Sequence, residues 1–177
     1  MIYDFHILVD VMKKIIKTFV ISSLLYSSIL LAQKGDYAYI GITAGKVGAF
    51  TPDRRSDRYG IEYRAKPFSK WQLIPAFGIA WNTHDSRYVY SELKHDWNLK
   101  HNLVFTGSLG VGIFDSTNNL DLGHPVEFRT GFELSYRFKN NYRLGVAAYH
   151  LSNSRLSQKN PGTEAIALSL LIPIHRK

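Results

Sequence analysis

Residues 125–138 read PVEFRTGFELSYRF. The even positions are Val126, Phe128, Thr130, Phe132, Leu134, Tyr136 and Phe138, and the odd ones between them are Glu127, Arg129, Gly131, Glu133, Ser135 and Arg137. Side chains alternate across a strand, so this order puts an apolar surface on one face and charge on the other. A helical period of 3.6 would scatter the same residues around its circumference.

The pattern repeats outward along the chain. In 101–114, Leu103, Phe105, Leu109, Val111 and Ile113 oppose Asn102, Thr106, Ser108, Gly110 and Gly112; in 71–82, Trp71, Leu73, Phe77, Ile79 and Trp81 oppose Gln72, Ala76, Gly78 and Asn82. Read this way, strands occupy roughly 36–47, 58–67, 71–83, 86–98, 101–114, 125–138, 141–153 and 163–174. Alternation alone does not separate a soluble sandwich from a membrane barrel. Length does, because each strand reaches the roughly 9–11 residues that cross a tilted bilayer path. So do the aromatics near the ends of the apolar faces, Trp71, Trp81, Trp97 and Tyr136, which suit interfacial girdles. The opposite faces carry Glu62, Glu92, Asp96, Glu127 and Glu133 against Arg64, Lys94, Arg129, Arg137 and Arg143, a set suited to the filled, ion-paired interior of a narrow barrel. The expected fold is all-β, an eight-stranded antiparallel transmembrane β-barrel, because only closure leaves no unpaired strand edge in lipid. Turns near 68–70, 99–100 and 139–140 read as short and periplasmic. Connections at 48–57, 115–124 and 154–162 read as longer and external, with a short one near 84–85.

The N-terminus fits that destination. From Met12, Lys13, Lys14 and Lys17 precede an apolar run over Phe19–Leu31 that ends at Ala32, so residues 1–32 read as a signal peptide, with natural initiation at Met12, and 33–177 as the barrel. The run is too short and too rich in serine to span a bilayer as a helix. There is no cysteine, which excludes disulfides and thiolate chemistry. A net charge of +8 suits anionic lipid headgroups in an exported chain, or simply a solvated basic surface, rather than nucleic acid.

One rim breaks the rule of a greasy outer face. On the seventh strand Tyr142, Leu144, Val146 and Ala148 are followed on the same face by His150 and Ser152; on the eighth, Glu164 precedes Ile166, Leu168, Leu170, Ile172 and Ile174. A hairpin centred near Gln158 would set Ser152 opposite Glu164, with His150 one diagonal step away. A serine needs a base to take its proton, an imidazole does this near neutral pH, and a carboxylate fixes the imidazole's tautomer. Spacing alone leaves open whether these three form such a set or merely begin the polar cap of the barrel.

The stretch His150-Leu151-Ser152-Asn153, Asn160-Pro161-Gly162, Glu164 resembles the lipid A 3-O-deacylases of Gram-negative outer membranes, the PagL family, in residues and spacing over about 150–164. The resemblance implies an outer-membrane serine-type ester hydrolase with its site toward the outer leaflet, releasing the ester-linked 3-hydroxyacyl chain at position 3 of lipid A. It implies Ser152 as nucleophile, His150 as general base, Glu164 as the residue that orients it, Asn160 at the oxyanion and Asn153 in support. No cofactor or metal is implied. Arg155 and Lys159, with Arg54 and Arg55, are candidates for lipid A phosphates, against the plainer role of keeping loops soluble. His84-Asp85 and His95-Asp96 send neighbours to opposite faces, which argues against metal ligation. The expected partners are lipopolysaccharide and outer-membrane lipids, not nucleic acid, with room for a homodimer. The contrasting expectation is a non-enzymatic structural or adhesive barrel. The end of the chain, Ile174-His175-Arg176-Lys177, lacks the terminal aromatic common in outer-membrane barrels.

Overall fold

The structure is a computed structural model, and it describes residues 37–116 and 120–174. The expected signal peptide and the tail after Ile174 lie outside those residues. Eight strands form: β1 (Ala38–Val47), β2 (Ser56–Arg64), β3 (Leu73–Asn82), β4 (Arg87–Asn98), β5 (Leu103–Asp115), β6 (Val126–Arg137), β7 (Arg143–Ser152) and β8 (Thr163–Ile174). Each pairs antiparallel with its sequence neighbours, and β1 closes on β8 from Ala38↔Ile174 to Val47↔Ala165. The barrel expected from alternation is therefore present, with strand ends shifted by at most a few residues.

The two faces divide as the period predicts. Phe132, Leu134, Val146 and Leu168 point outward and are exposed, while Glu133, Ser135, Ala147 and Ala167 on the same strands are buried. Outside a membrane such an apolar surface would stand in water, whereas against lipid tails it costs nothing. Aromatics flank it at both ends: Tyr59 lies 6.2 Å from Trp81 at the upper rim, and Trp97, Phe105 and Tyr136 lie toward the lower one, where the barrel's first and last residues sit.

Inside, most of the charges expected to pair do so: Glu62, Glu92, Asp96 and Glu133 with Arg64, Lys94, Arg129 and Arg143. Arg64 holds Glu133 through both guanidinium nitrogens, at 3.2 and 2.7 Å, and meets Glu62 at 2.7 Å. Glu62 also accepts from Tyr90 Oη at 3.0 Å and faces Lys94 at 3.3 Å; Lys94 reaches Glu92 at 2.5 Å, and Arg129 pairs with Glu92. Arg129 is sandwiched between the rings of Tyr149 and Tyr90, 3.7 and 4.1 Å from their centroids. Nearer the lower rim, Asp96 binds Arg143 at 2.5 Å and Thr106 Oγ1 at 2.6 Å. Glu127 departs from the expectation: it is fully buried and joins no ion pair among the described residues.

Two features differ from the sequence reading. The connection between β2 and β3 runs over 65–72 rather than 68–70, so Trp71 lies in the turn and not on a strand. Pro67 has no N–H for a ladder, and Ser69 and Gln72 take φ of 64° and 52°, which closes a small loop in which Phe68 and Leu73 exchange backbone hydrogen bonds. The contrast of short and long connections consequently holds for 99–102 and 138–142 against 116–125 and 153–162, and fails at 65–72. The second feature is a plug. Leu120 and Leu122, read as loop, are buried at the upper mouth among Val47, Tyr88, Phe114, Tyr149 and Leu151.

Candidate active site

The ladder between β7 and β8 places His150 directly across from Glu164, and Leu151 across from Thr163. This corrects the expected register, in which Ser152 faced Glu164: the hairpin centres on Ser157, not near Gln158. The cause is local. Asn153 starts the loop at once, its carbonyl accepting from Leu156 N at 3.0 Å and its Oδ1 from Arg155 N at 3.0 Å, while Ser154 and Arg155 turn through φ of 51° and 66°. An Asx turn of this kind ends the strand at Ser152.

On the outward face, His150 Nδ1 stands 3.3 Å from Glu164 Oε1, the imidazole half exposed and the carboxylate partly covered. With Nδ1 turned to a carboxylate, the ring proton belongs there and Nε2 is left as the basic nitrogen. Ser152 follows on the same face, half-buried and paired across β6 with Phe128, while His150 pairs with Thr130. Among the described residues no hydrogen bond joins Ser152 Oγ to the ring; such bonds commonly tighten only when substrate is bound. The arrangement provides an oriented base with a hydroxyl two residues along the same face, at the level where a barrel surface meets headgroups.

Asn153 points inward, as its parity predicted, and is fully buried. Its Nδ2 donates to Leu122 O and Lys159 O, both at 2.9 Å, which ties the loop over 153–162 to the plug. Its backbone N–H donates to Asn160 Oδ1 at 3.1 Å. That bond brings Asn160 next to Ser152 in the chain and fixes its oxygen as the acceptor, leaving its NH2 as the donor end.

The cationic candidates separate. Lys159 Nζ is held by Asp121 Oδ2 at 2.6 Å, and Arg55 Nη2 donates to Ala49 O at 2.9 Å, so each already has a partner within the protein. Arg155 is exposed beside the site. Hydrogen bonds from Lys159 and from Gly123 N–H hold the Asp121 carboxyl below the usual carboxylate range. His95 Nδ1 meets the Trp71 carbonyl oxygen at 3.0 Å, and among the described residues no three histidine or acidic groups converge as a metal site. Sequence reasoning missed Asp121, Leu122 and Gly123, because their link to Asn153 and Lys159 crosses more than 30 residues and has no local signature.

Closure, an apolar outer band, aromatic rims and a polar cluster on the lipid-facing edge together define a small outer-membrane β-barrel. Residues 57–173 match the family described as Lipid A 3-O-deacylase (PagL), and the chain belongs to it. Lipid A deacylase PagL of Pseudomonas aeruginosa is 27% identical over 182 residues, spanning 92% of this chain and all of that protein. Among solved structures, the crystal structure of the outer membrane enzyme PagL superposes with a TM-score of 0.62 at 20% identity, covering 77% of this chain and 99% of that one. Neisserial surface protein A gives 0.58 at 10% identity, covering 78% and 96%. At those identities the structural matches speak for the barrel, and the family match speaks for membership.

Proposed function

We propose that this barrel is a lipid A 3-O-deacylase of the serine-hydrolase type, exported by a signal peptide over residues 1–32 and acting at the outer leaflet on the ester that holds the 3-hydroxyacyl chain at position 3. The observation that carries the reading is the cross-strand pair of His150 and Glu164 on the lipid face, with Ser152 two residues further along that face, in a chain of this family.

The steps follow from the groups. Ser152 Oγ attacks the ester carbonyl while its proton passes to His150 Nε2, and Glu164 stabilises the imidazolium that forms. The oxyanion is met by the NH2 of Asn160. Collapse expels the sugar oxygen, which takes the proton from His150 and leaves the acyl group on Ser152. A water then gives its proton to Nε2 and attacks the acyl ester; collapse returns that proton to Ser152 and frees the fatty acid. The location suits the substrate, because the scissile ester lies at the boundary between headgroups and tails, where the outward faces of β7 and β8 turn polar. Arg155 is the cation best placed to meet a phosphate.

The test is mass spectrometry of lipid A from cells expressing the wild type or Ser152→Ala. Loss of one 3-hydroxyacyl chain with the wild type alone is expected. Unchanged lipid A with a correctly folded wild type, or equal deacylation by the variant, would overturn the proposal.

A further inference from the structure

Across the hairpin from Ser152, one step beyond the last paired row of Leu151 and Thr163, stands Gly162. Its φ is +61°. That angle does not by itself require glycine in this chain, since Ser154 and Arg155 in the same loop hold 51° and 66°, and Asn141 holds 65°, with full side chains. What sets position 162 apart is its surroundings. A Cβ there would lie 3.2 Å from His150 Cε1, 3.2 Å from Leu151 O and 3.7 Å from His150 Nε2. The other two positive-φ glycines face backbone: a Cβ on Gly48 would meet Arg54 O at 2.5 Å and one on Gly123 would meet Lys159 O at 2.2 Å. Those two permit chains to cross. Of the three, Gly162 alone borders an imidazole, and on the edge that Glu164 does not occupy.

We propose that Gly162 is a positioning residue for the ester hydrolysis: its missing side chain keeps open the Nε2 edge of His150, where Ser152 Oγ must approach. A methyl at 162 would occupy that edge. Relief would require the ring to swing away by a few tenths of an ångström, and because the ring is tied to Glu164 at 3.3 Å, the swing loosens the contact that orients it. This rests on the reading of His150 as the base.

Gly162→Ala and Gly162→Asn, each in the full chain, separate space from backbone angle. Asparagine tolerates the left-handed region better than alanine does, so it relieves the φ penalty and still carries a Cβ. Both variants are expected to fold, with kcat lowered about 10- to 100-fold and KM nearly unchanged. The Cε1–H NMR signal of His150, assigned by its loss in His150→Gln, should shift in both. Should the alanine variant fail to fold, the asparagine variant decides. Wild-type kcat in Gly162→Asn would overturn the proposal, since the glycine would then serve only its backbone angle. A loss of kcat with the His150 signal unmoved would overturn it as well. His150→Gln and Ser152→Ala run in parallel: turnover in those two would sink the triad reading itself, whereas their inactivity leaves the Gly162 result to stand alone.

Discussion

In the proposed mechanism His150 is oriented by Glu164 and the oxyanion is met by Asn160, and each can be tested separately. Glu164 faces Nδ1, so Glu164→Gln keeps the size of the side chain and removes the charge that stabilises the imidazolium, while offering an amide that favours the wrong tautomer. We expect kcat to fall by about 100-fold or more, and Glu164→Gln to be at least as damaging as Glu164→Ala, by assay of fatty acid release. Equal activity of Glu164→Gln and wild type would remove Glu164 from the mechanism. Asn160 allows a finer dissection. Asn160→Asp keeps an oxygen to accept from Asn153 N–H and exchanges the donor NH2 for a repelling carboxylate oxygen. Its kcat should drop by about 100- to 1,000-fold, as for loss of an oxyanion donor, with the loop intact by limited proteolysis. At this scale the sequence supplied identities and order: the period of two put His150, Ser152 and Glu164 on one face. It did not supply the opposite number of each, because pairing across a hairpin depends on where the loop begins, and the Asx turn at Asn153 moved that point.

The loop over 153–162 is tied to Asp121 and Leu122 of the plug. Asn153 is the joint, giving one amide hydrogen to Leu122 O and one to Lys159 O in a fully buried setting. Asn153→Ala leaves those carbonyls without their donor, at about 1–3 kcal/mol for each unsatisfied group. Leu122→Ala opens a cavity in the mouth of the barrel and costs about 2–5 kcal/mol. Both variants should speed proteolysis within 153–162 and lower kcat although neither residue touches substrate. Protease resistance equal to wild type would show that the loop holds its shape without the plug. None of this was legible in the sequence, where residues 115–124 read as a long external connection; burial of Leu120 and Leu122 follows only once eight strands have closed around a mouth of the right width.

Across the whole molecule, the interior holds a network of charges that depend on one another and a carboxylate, Glu127, that stands outside it. Glu62 meets Arg64, Lys94 and Tyr90. Glu62→Gln therefore strands buried cations and should lower stability by about 3–5 kcal/mol. Glu127 has no ion-pair partner among the described residues, and Glu127→Gln removes a carboxylate that no cation offsets while keeping an oxygen able to accept from Asn153, so stability should be unchanged or higher. Urea unfolding of the two variants in lipid vesicles checks the contrast, and equal destabilisation would contradict the dependence of Arg64 and Lys94 on Glu62. The sequence foretold the two signs of charge on one face, since strand parity assigns a side chain to the interior without reference to any other strand. Which acid meets which base could not be foretold, because Arg64 and Glu133 lie 69 residues apart and on strands that are not neighbours.

Alternation at period two, long enough strands and one interruption of the apolar face were written into the sequence, and with them the barrel, its lipid side and the rim that turns polar. These depend on one strand at a time, through the alternating direction of its side chains. The register that sets His150 against Glu164, the plug that pins Asn153, and the closeness of Gly162 to the imidazole were decided by the tertiary structure. Each of these depends on where two separate segments stop and meet, which is a property of the closed barrel and not of any one strand.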